Sequence, residues 1–141
     1  MNIIYIGWFI PADELFDAVS SFAPQRLEIP VKYPHITLAF RPSEVDTSLF
    51  GSAARLTITG YGNDGENEGV SVTVEPSEPI LAAQLSALKI PHITLSVSAS
   101  GKPLNTAKLD FLPVPPCTLT GIFGAFTSEG TLTLSPDTAE A

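Results

Sequence analysis

The chain has 141 residues and a net charge of −8, from seven Lys and Arg residues and fifteen Asp and Glu residues. Its 44% of hydrophobic and 16% of charged residues are typical of a folded protein, and its length is that of a single domain over residues 1–141. The negative charge argues against a general binder of long nucleic acid, because such binders neutralise many phosphates. A small anionic ligand is compatible with this charge, since a few cations can dominate one pocket.

Cysteine content and hydrophobic patterning narrow the class of protein further. Cys117 is the only cysteine, so the chain has neither an internal disulfide nor a cysteine cluster for zinc. The apolar run Ile3–Ile10 is too short to cross a bilayer, and no basic region precedes it. We therefore expect no membrane span and no signal peptide, and a soluble cytoplasmic protein.

The first half of the chain predicts alternating strands and helices. Ile3–Ile10 is rich in β-branched and aromatic residues and predicts a buried strand. After Pro11, the acidic Asp13 and Glu14 suit the positive end of a helix, which Pro24 ends. The further predicted elements of this half are a short strand at Leu27–Ile29, a longer strand at Tyr33–Arg41, and a short helix at Ser43–Phe50 capped by Ser43.

The second half predicts two hairpins, one helix and one further strand. Period-two alternation and turn-rich stretches indicate the hairpins. The predicted elements are a hairpin of Ala54–Gly60 and Val70–Val74 around the loop YGNDGENEG, a helix at Pro79–Leu88, a strand at Pro91–Ser98, a mostly irregular stretch at Gly101–Pro116 interrupted by Lys108–Leu112, a hairpin of Leu119–Phe126 and Gly130–Leu134, and a frayed tail over residues 135–141.

One short segment occurs twice. KYPHITLAF occupies residues 32–40 and KIPHITLSV residues 89–97, and the chain has no histidine outside these two segments. Each copy follows a strand and a helix, so the halves share one layout. We therefore expect one domain of two lobes related by a pseudo-two-fold axis.

The repeated segment places two chemical groups on one face of a strand. Residues i and i+2 of a strand share a face, so His35 lies beside Thr37, and His92 beside Thr94. Two imidazoles near their unperturbed pKa of about 6.5 can serve as base and acid at neutral pH. Two hydroxyls can donate to the oxygens of a tetrahedral anion. Brought together in one cleft, the four groups could cleave a phosphodiester in line without a metal.

The paired PHITL segments resemble the two His-x-Thr-x signatures of the 2H phosphoesterase superfamily. That superfamily includes bacterial 2′-5′ RNA ligase-like proteins, the cyclic phosphodiesterase domain of fungal tRNA ligases, and viral phosphodiesterases that destroy nucleotide immune signals. The resemblance implies a bilobal α+β fold with two antiparallel sheets facing a central cleft and helices outside. It also implies that His35 and His92 are the acid–base pair, that Thr37 and Thr94 hold the phosphate, and that no metal or other cofactor is needed.

The resemblance implies an enzyme that cleaves a nucleotide phosphodiester next to a ribose hydroxyl. The substrate is expected to be a 2′,3′-cyclic phosphate, or a small 2′-5′-linked or cyclic oligonucleotide of the kind that phage proteins cut to counter host defence, in a bacterial or phage-infected cytoplasm. Three alternatives stay open: a nucleotide-binding sponge with little turnover, an RNA-end-processing cyclic phosphodiesterase, and a two-histidine metal site. A metal site would need carboxylates beside the motif strands, and neither KYPHITLAF nor KIPHITLSV contains an aspartate or a glutamate.

Weaker candidates surround the motifs. Arg41 has the parity of His35 and Thr37, and Ser96 has the parity of Thr94, so both are candidates for the cleft rim. Lys102 follows the second motif strand on a glycine-containing loop and is a candidate phosphate ligand. The remaining candidates are the lysines Lys32 and Lys89 at the strand entrances and four aromatic residues that could stack on a base but that commonly belong to a core, namely Tyr5, Trp8, Phe123 and Phe126.

Overall fold

A computed structural model, which describes residues 2–136, shows an α+β protein built mainly of antiparallel strands. Two α-helices and two 3-10 helices, Thr47–Leu49 and Pro103–Lys108, connect the strands. The strands and α-helices are β1 (Ile3–Phe9), α1 (Ala12–Val19), β2 (Ile29–Pro30), β3 (His35–Phe40), β4 (Ala53–Asn63), β5 (Asn67–Pro76), α2 (Pro79–Leu85), β6 (His92–Val97), β7 (Leu112–Thr127) and β8 (Leu132–Thr133).

The strands form one connected sheet, where the family resemblance implies two. Its order is β2-β6-β5-β4-β7-β1-β3, with β8 paired to β7, and every pairing is antiparallel. The long strands β4 and β7 pair along their length, from Ala53 opposite Ile122 to Tyr61 opposite Leu112. This pairing joins what would otherwise be two sheets. The order is nevertheless symmetric about that pair, because β6-β5-β4 on one side mirrors β3-β1-β7 on the other.

The two motif strands lie at the ends of this sheet, although parity and duplication had suggested central strands. β3 is an edge strand, and β6 is followed only by the two-residue β2. The sheet curls until β3 and β6 contact each other. The segment from Val31 to Pro34 crosses between them: Val31 N–H donates to the Leu95 carbonyl at 3.0 Å, and Pro34 O accepts from Ile10 N–H at 3.1 Å.

One continuous apolar core lies beneath the sheet and holds the motif strands in place. Ile36 and Leu38 of β3, and Ile93 and Leu95 of β6, are buried in it. Helix α1 begins after Pro11, carries acidic residues in its first turn, and buries Leu15 and Val19. Helix α2 contributes Leu81. Within residues 2–136, no helix is long and apolar enough to cross a membrane.

The proline-rich stretch before Cys117 differs from its prediction. Most of Gly101–Pro116 is expected to be irregular, yet β7 begins at Leu112. In its pairing with β4, Cys117 lies opposite Ile58, and the next pair is Pro113 opposite Gly60. Residues 114–116 therefore lie in a bulge. The prolines are tolerated because a bulged residue need not donate a ladder hydrogen bond.

Smaller differences concern element boundaries. The helix expected at Ser43–Phe50 is only the 3-10 turn Thr47–Leu49, and Asp46 caps it by accepting from Ser48 N–H at 3.1 Å. The loop YGNDGENEG is largely strand, since β4 and β5 leave only residues 64–66 as a turn. Residues 137–141 of the predicted frayed tail lie outside the described residues.

A buried ion pair ties the connection after α1 to the sheet. Glu68 on β5 is fully buried, and its Oε1 lies 3.2 Å from Arg26 Nη1. Ser96 Oγ donates to the same carboxylate at 2.7 Å, and Tyr61 OH donates to its other oxygen at 2.5 Å. Leu27 N–H donates to Ser96 Oγ at 2.9 Å. The buried carboxylate is therefore paired with a guanidinium and two hydroxyls, as a buried charge requires.

Candidate active site

Both motif strands contain a β-bulge at the same place. In the pairing of β3 with β1, Ala39 lies opposite Ile6 and Thr37 opposite Gly7, which leaves Leu38 as the extra residue. In the pairing of β6 with β5, Ser96 lies opposite Glu68 and Thr94 opposite Gly69, which leaves Leu95 as the extra residue. A bulge reverses the alternation of faces beyond it. The duplication therefore extends from the sequence to an irregularity of the backbone.

The bulges place a third residue of each motif in the cavity. The side chains that face it are His35, Thr37 and Phe40 from β3, and His92, Thr94 and Val97 from β6. Each trio is the histidine, the second residue after it and the fifth. The cavity has a volume of about 730 Å³. Both motifs thus open into one space, as parity and duplication predict.

A glycine faces each bulge. Gly7 lies opposite Thr37, and Gly69 lies opposite Thr94. A Cβ at Gly7 would overlap the Ile36 carbonyl, and a Cβ at Gly69 would lie 2.8 Å from the Ile93 carbonyl. Only glycine lets the bulged strand approach this closely.

Both histidines are held in the same tautomer. His35 Nδ1 lies 2.8 Å from the Tyr33 carbonyl, and His92 Nδ1 lies 3.0 Å from the Ile90 carbonyl. A carbonyl oxygen can only accept, so each Nδ1 must carry its hydrogen and donate it. In both rings, Nε2 is then the nitrogen left for a ligand. A proline lies directly before each histidine and keeps the residue in front of it, Tyr33 or Ile90, extended. The carbonyl of that residue then points at the imidazole ring.

The surroundings of the two rings differ. Tyr5 stacks on His35 with centroids 4.3 Å apart, and Phe9 lies at 5.5 Å. Burial lowers the pKa of His35 below its usual 6.5; the bond to the Tyr33 carbonyl opposes this shift, and the charge of His92 adds to it. Burial also raises the pKa of Tyr5 to about 12, so its phenol stays neutral. His35 is thus set up as a neutral imidazole.

A chain of hydrogen bonds reaches the Thr94 hydroxyl. The Asn67 side-chain amide donates to the Lys102 carbonyl at 2.7 Å and to Thr106 Oγ1 at 3.1 Å. Thr106 Oγ1 lies 2.8 Å from Thr94 Oγ1, and both Asn67 and Thr106 are fully buried. Because Thr106 accepts from Asn67, its own hydrogen is available to Thr94, whose hydroxyl donates to the Pro103 carbonyl at a long 3.4 Å and can turn to a ligand instead. Within the described part of the chain, no hydrogen bond holds the Thr37 hydroxyl in this way.

The structure does not bring Arg41 and Ser96 to the cavity. The bulge in β3 puts Phe40 there instead, and Arg41 turns away with a φ of 45°, its guanidinium over the Phe40 ring. The bulge in β6 likewise puts Val97 in the cavity and turns Ser96 to the buried carboxylate of Glu68.

The other candidates divide between cavity and core. Trp8 and Phe123 are buried against each other, with ring centroids 5.8 Å apart, and belong to the core. Lys102 precedes the 3-10 helix, whose Pro103 and Leu104 line the cavity in its place. The candidates that do line the cavity are Tyr5, Phe126 and Lys32.

A second, smaller cavity of about 310 Å³ adjoins the first and is reached by Lys89. Thr37 and His92 line both cavities. No aspartate or glutamate is among the described residues that line either one. Nor do residues 2–136 contain any group of three or more His, Cys, Asp or Glu arranged to hold a metal ion.

Sequence reasoning missed Asn67, Thr106, Phe40 and Val97. Parity alone assigns Phe40 and Val97 to the buried face, and only knowledge of the bulges corrects it. Gly7, in the interior of a predicted strand, was the available signal; Gly69 gave none, because the sequence assigns it to the loop YGNDGENEG. Nothing in the sequence pairs Asn67 with Thr106.

The arrangement can hold a tetrahedral anion between two imidazole Nε2 atoms and two hydroxyls.

The chain matches no protein-family model and no curated protein sequence.

Proposed function

We propose that the protein is a metal-independent phosphodiesterase of the 2H type, which cleaves a nucleotide phosphodiester next to a ribose hydroxyl. The observation that carries the proposal is that both histidines donate Nδ1–H to their own backbone and line one cavity with the two threonines. Two rings locked in the same tautomer offer two Nε2 atoms, which is what paired acid and base catalysis requires.

The lowered pKa of His35 makes it the base in this proposal. Neutral Nε2 of His35 takes the proton from the attacking hydroxyl or water, and protonated His92 gives a proton to the leaving oxygen. Thr37 and Thr94 donate to the non-bridging oxygens as charge develops on them. The sum is one bond to phosphorus formed, one broken, and one proton moved across the cavity.

The finer fold expectation is part of the same proposal. The symmetric strand order, the matched bulges and the equivalent strand–helix–strand units support a bilobal 2H phosphoesterase fold with a pseudo-two-fold axis between β4 and β7. We also retain a cytoplasmic location as an inference from composition, since the chain has a single cysteine.

The test is turnover by catalytic amounts of protein, with chelator present throughout. We expect multiple turnovers of a nucleotide phosphodiester, and a loss of about 10²–10⁴-fold in kcat for His35→Ala and for His92→Ala, the usual contribution of one acid or base. The control is Ser48→Ala, an exposed hydroxyl that bonds to Asp46 and lines neither cavity. Tight binding without turnover would show a sponge, and activity that chelator removes and a divalent ion restores would show a metal site.

A further inference from the structure

The two cavities meet at the motif residues. The larger, of about 730 Å³, and the smaller, of about 310 Å³, share only Thr37 and His92 among the described residues that line them. A phosphate held by these side chains would therefore have open space on two sides. A ligand whose phosphorus carries a single organic group would fill one cavity and leave the other empty.

The charges in the cavities match one phosphate. The described lining residues include one lysine in each cavity, Lys32 in the larger and Lys89 in the smaller, and no arginine. The net charge of the chain is −8, so no general positive field supplements them. A second or third phosphate would lie against apolar side chains, where an unpaired charge is costly.

The two cavities differ in the surfaces that they offer. The larger contains the rings of Tyr33, Phe40 and Phe126; Phe40 is 65% exposed, and the Arg41 guanidinium lies over one face of its ring, which leaves the other face for a ligand ring. Base–aromatic stacking is worth about 1–3 kcal/mol per base. The smaller cavity is aliphatic, with Leu88 and Ile90 on its walls. It offers apolar contact without a stacking platform.

Resting on the proposed function, we propose that the substrate is a linear dinucleoside monophosphate, with one nucleoside in each cavity and its single phosphate between His35 and His92. The ribose hydroxyl beside the phosphate attacks phosphorus, and its proton passes to His35. The bond from phosphorus to the other nucleoside's oxygen breaks, and that oxygen takes a proton from His92. The products are a nucleoside 2′,3′-cyclic phosphate and a free nucleoside.

The experiment compares kcat/KM for six adenine compounds: the linear adenosine dinucleotide with one phosphate in its 2′-5′ and 3′-5′ linkages, each of these two with an added 5′-triphosphate, the cyclic adenosine dinucleotide with its two phosphates, and adenosine 2′,3′-cyclic phosphate. Of the two linear dinucleotides without a triphosphate, we expect the one that is cleaved faster to have the highest kcat/KM. Its kcat/KM should exceed those of the triphosphate forms, the cyclic dinucleotide and the cyclic mononucleotide by about tenfold or more, which is the effect of one lost subsite. Ala107→Trp should fill the smaller cavity, which Ala107 lines, and lower kcat/KM for the dinucleotide far more than for the cyclic mononucleotide. The matched control is Ala83→Trp, an exposed alanine of α2 that lines neither cavity.

The outcomes separate the two proposals. If none of the compounds is cleaved in a His35-dependent and His92-dependent way, the proposed function fails. If cleavage occurs but the cyclic mononucleotide, the cyclic dinucleotide or the triphosphate form is preferred, the two-cavity inference is wrong while the phosphodiesterase stands. An equal effect of Ala107→Trp on all substrates also contradicts the inference. Should that variant not fold, the ranking of substrates by the wild-type protein still decides.

Discussion

His35 shows how one side chain acquires a defined role from its neighbours. Tyr5 and Phe9 remove water from the ring, and burial is the largest influence on its pKa, which falls below 6.5. The bond to the Tyr33 carbonyl opposes that shift, and the charge of His92 adds to it. At neutral pH the ring is therefore uncharged, with its lone pair on Nε2.

Under the proposed mechanism, this lowered pKa predicts the pH dependence of activity. The rising limb of kcat/KM should lie below pH 6.5, because neutral His35 is the active form. In His92→Gln, the NMR titration midpoint of His35 should move upward, since the opposing charge is gone. The unfolded chain binds this proton more readily than the folded one, so stability should fall as pH drops from 6.5 through the lower folded pKa. A His35 midpoint at or above 6.5 in the wild-type protein would contradict the assignment of the base.

Thr106 should position the Thr94 hydroxyl without touching substrate. Thr106→Val removes a hydrogen bond worth about 1 kcal/mol, so kcat should fall roughly fivefold with KM little changed. Thr106→Ser keeps the hydroxyl and should restore kcat. Thr118→Val, at an exposed position of β7, is the control. If Val and Ser at position 106 were equally impaired, the role would be one of packing alone.

Among the elements, the bulged motif strands depend on the glycines opposite them. Gly7→Ala or Gly69→Ala would push a methyl group against the backbone of a motif strand. We expect a loss of about 1–3 kcal/mol of unfolding free energy, as for overpacking, together with lower turnover per folded molecule. Urea unfolding and active-site kinetics measure the two effects. Gly121→Ala crowds Leu56 and Trp8 instead, so it should destabilise while keeping turnover; equal turnover losses in all three variants would contradict the prediction.

The same bulges mark the limit of what the sequence predicts about the site. Alternation correctly places His35 beside Thr37, and His92 beside Thr94, because all four precede the bulge. Beyond it, period-two reasoning fails for Arg41 and Ser96, since one extra residue reverses every later side chain.

For the fold, too, the sequence predicts the elements that have local signals and misses the features that depend on tertiary pairing. Hydrophobic periodicity predicted the strand at Ile3–Ile10 and the helix that buries Leu15, whose signals are local. It missed the early start of β7 at Leu112, because the tolerance for prolines there depends on a bulge against β4. Nor could it show that the pairing of β4 with β7 joins the strands into one sheet, which is a tertiary property.

For the molecule as a whole, the buried carboxylate of Glu68 should be a major determinant of stability. Glu68→Gln leaves the guanidinium of Arg26, which is 12% exposed, without its counter-charge. Breaking such a pair costs about 3–5 kcal/mol, a large share of the ~5–15 kcal/mol typical of a domain. Urea unfolding at pH 7 measures this. Glu75→Gln is the matched control, because its pair with Arg55 is 4.0 Å long and 68% exposed on both sides, and it should change little. Similar losses in both variants would show that burial of the ion pair is not what matters.

The pairing register shows how a duplicated scaffold can acquire a direction. Phe9 lies opposite His35, and Tyr5 lies opposite Phe40; in the other half the same places hold Ser71 and Asn67. Two aromatic rings thus pack on His35, whereas the strand that pairs with His92 carries small polar side chains at the equivalent positions. In the proposed mechanism, neighbouring strands rather than the motifs then determine which end of the substrate gives up a proton and which end receives one. Exchanging Phe9 and Tyr5 with Ser71 and Asn67 should therefore reverse the orientation in which the substrate is cleaved, although KYPHITLAF and KIPHITLSV stay unchanged.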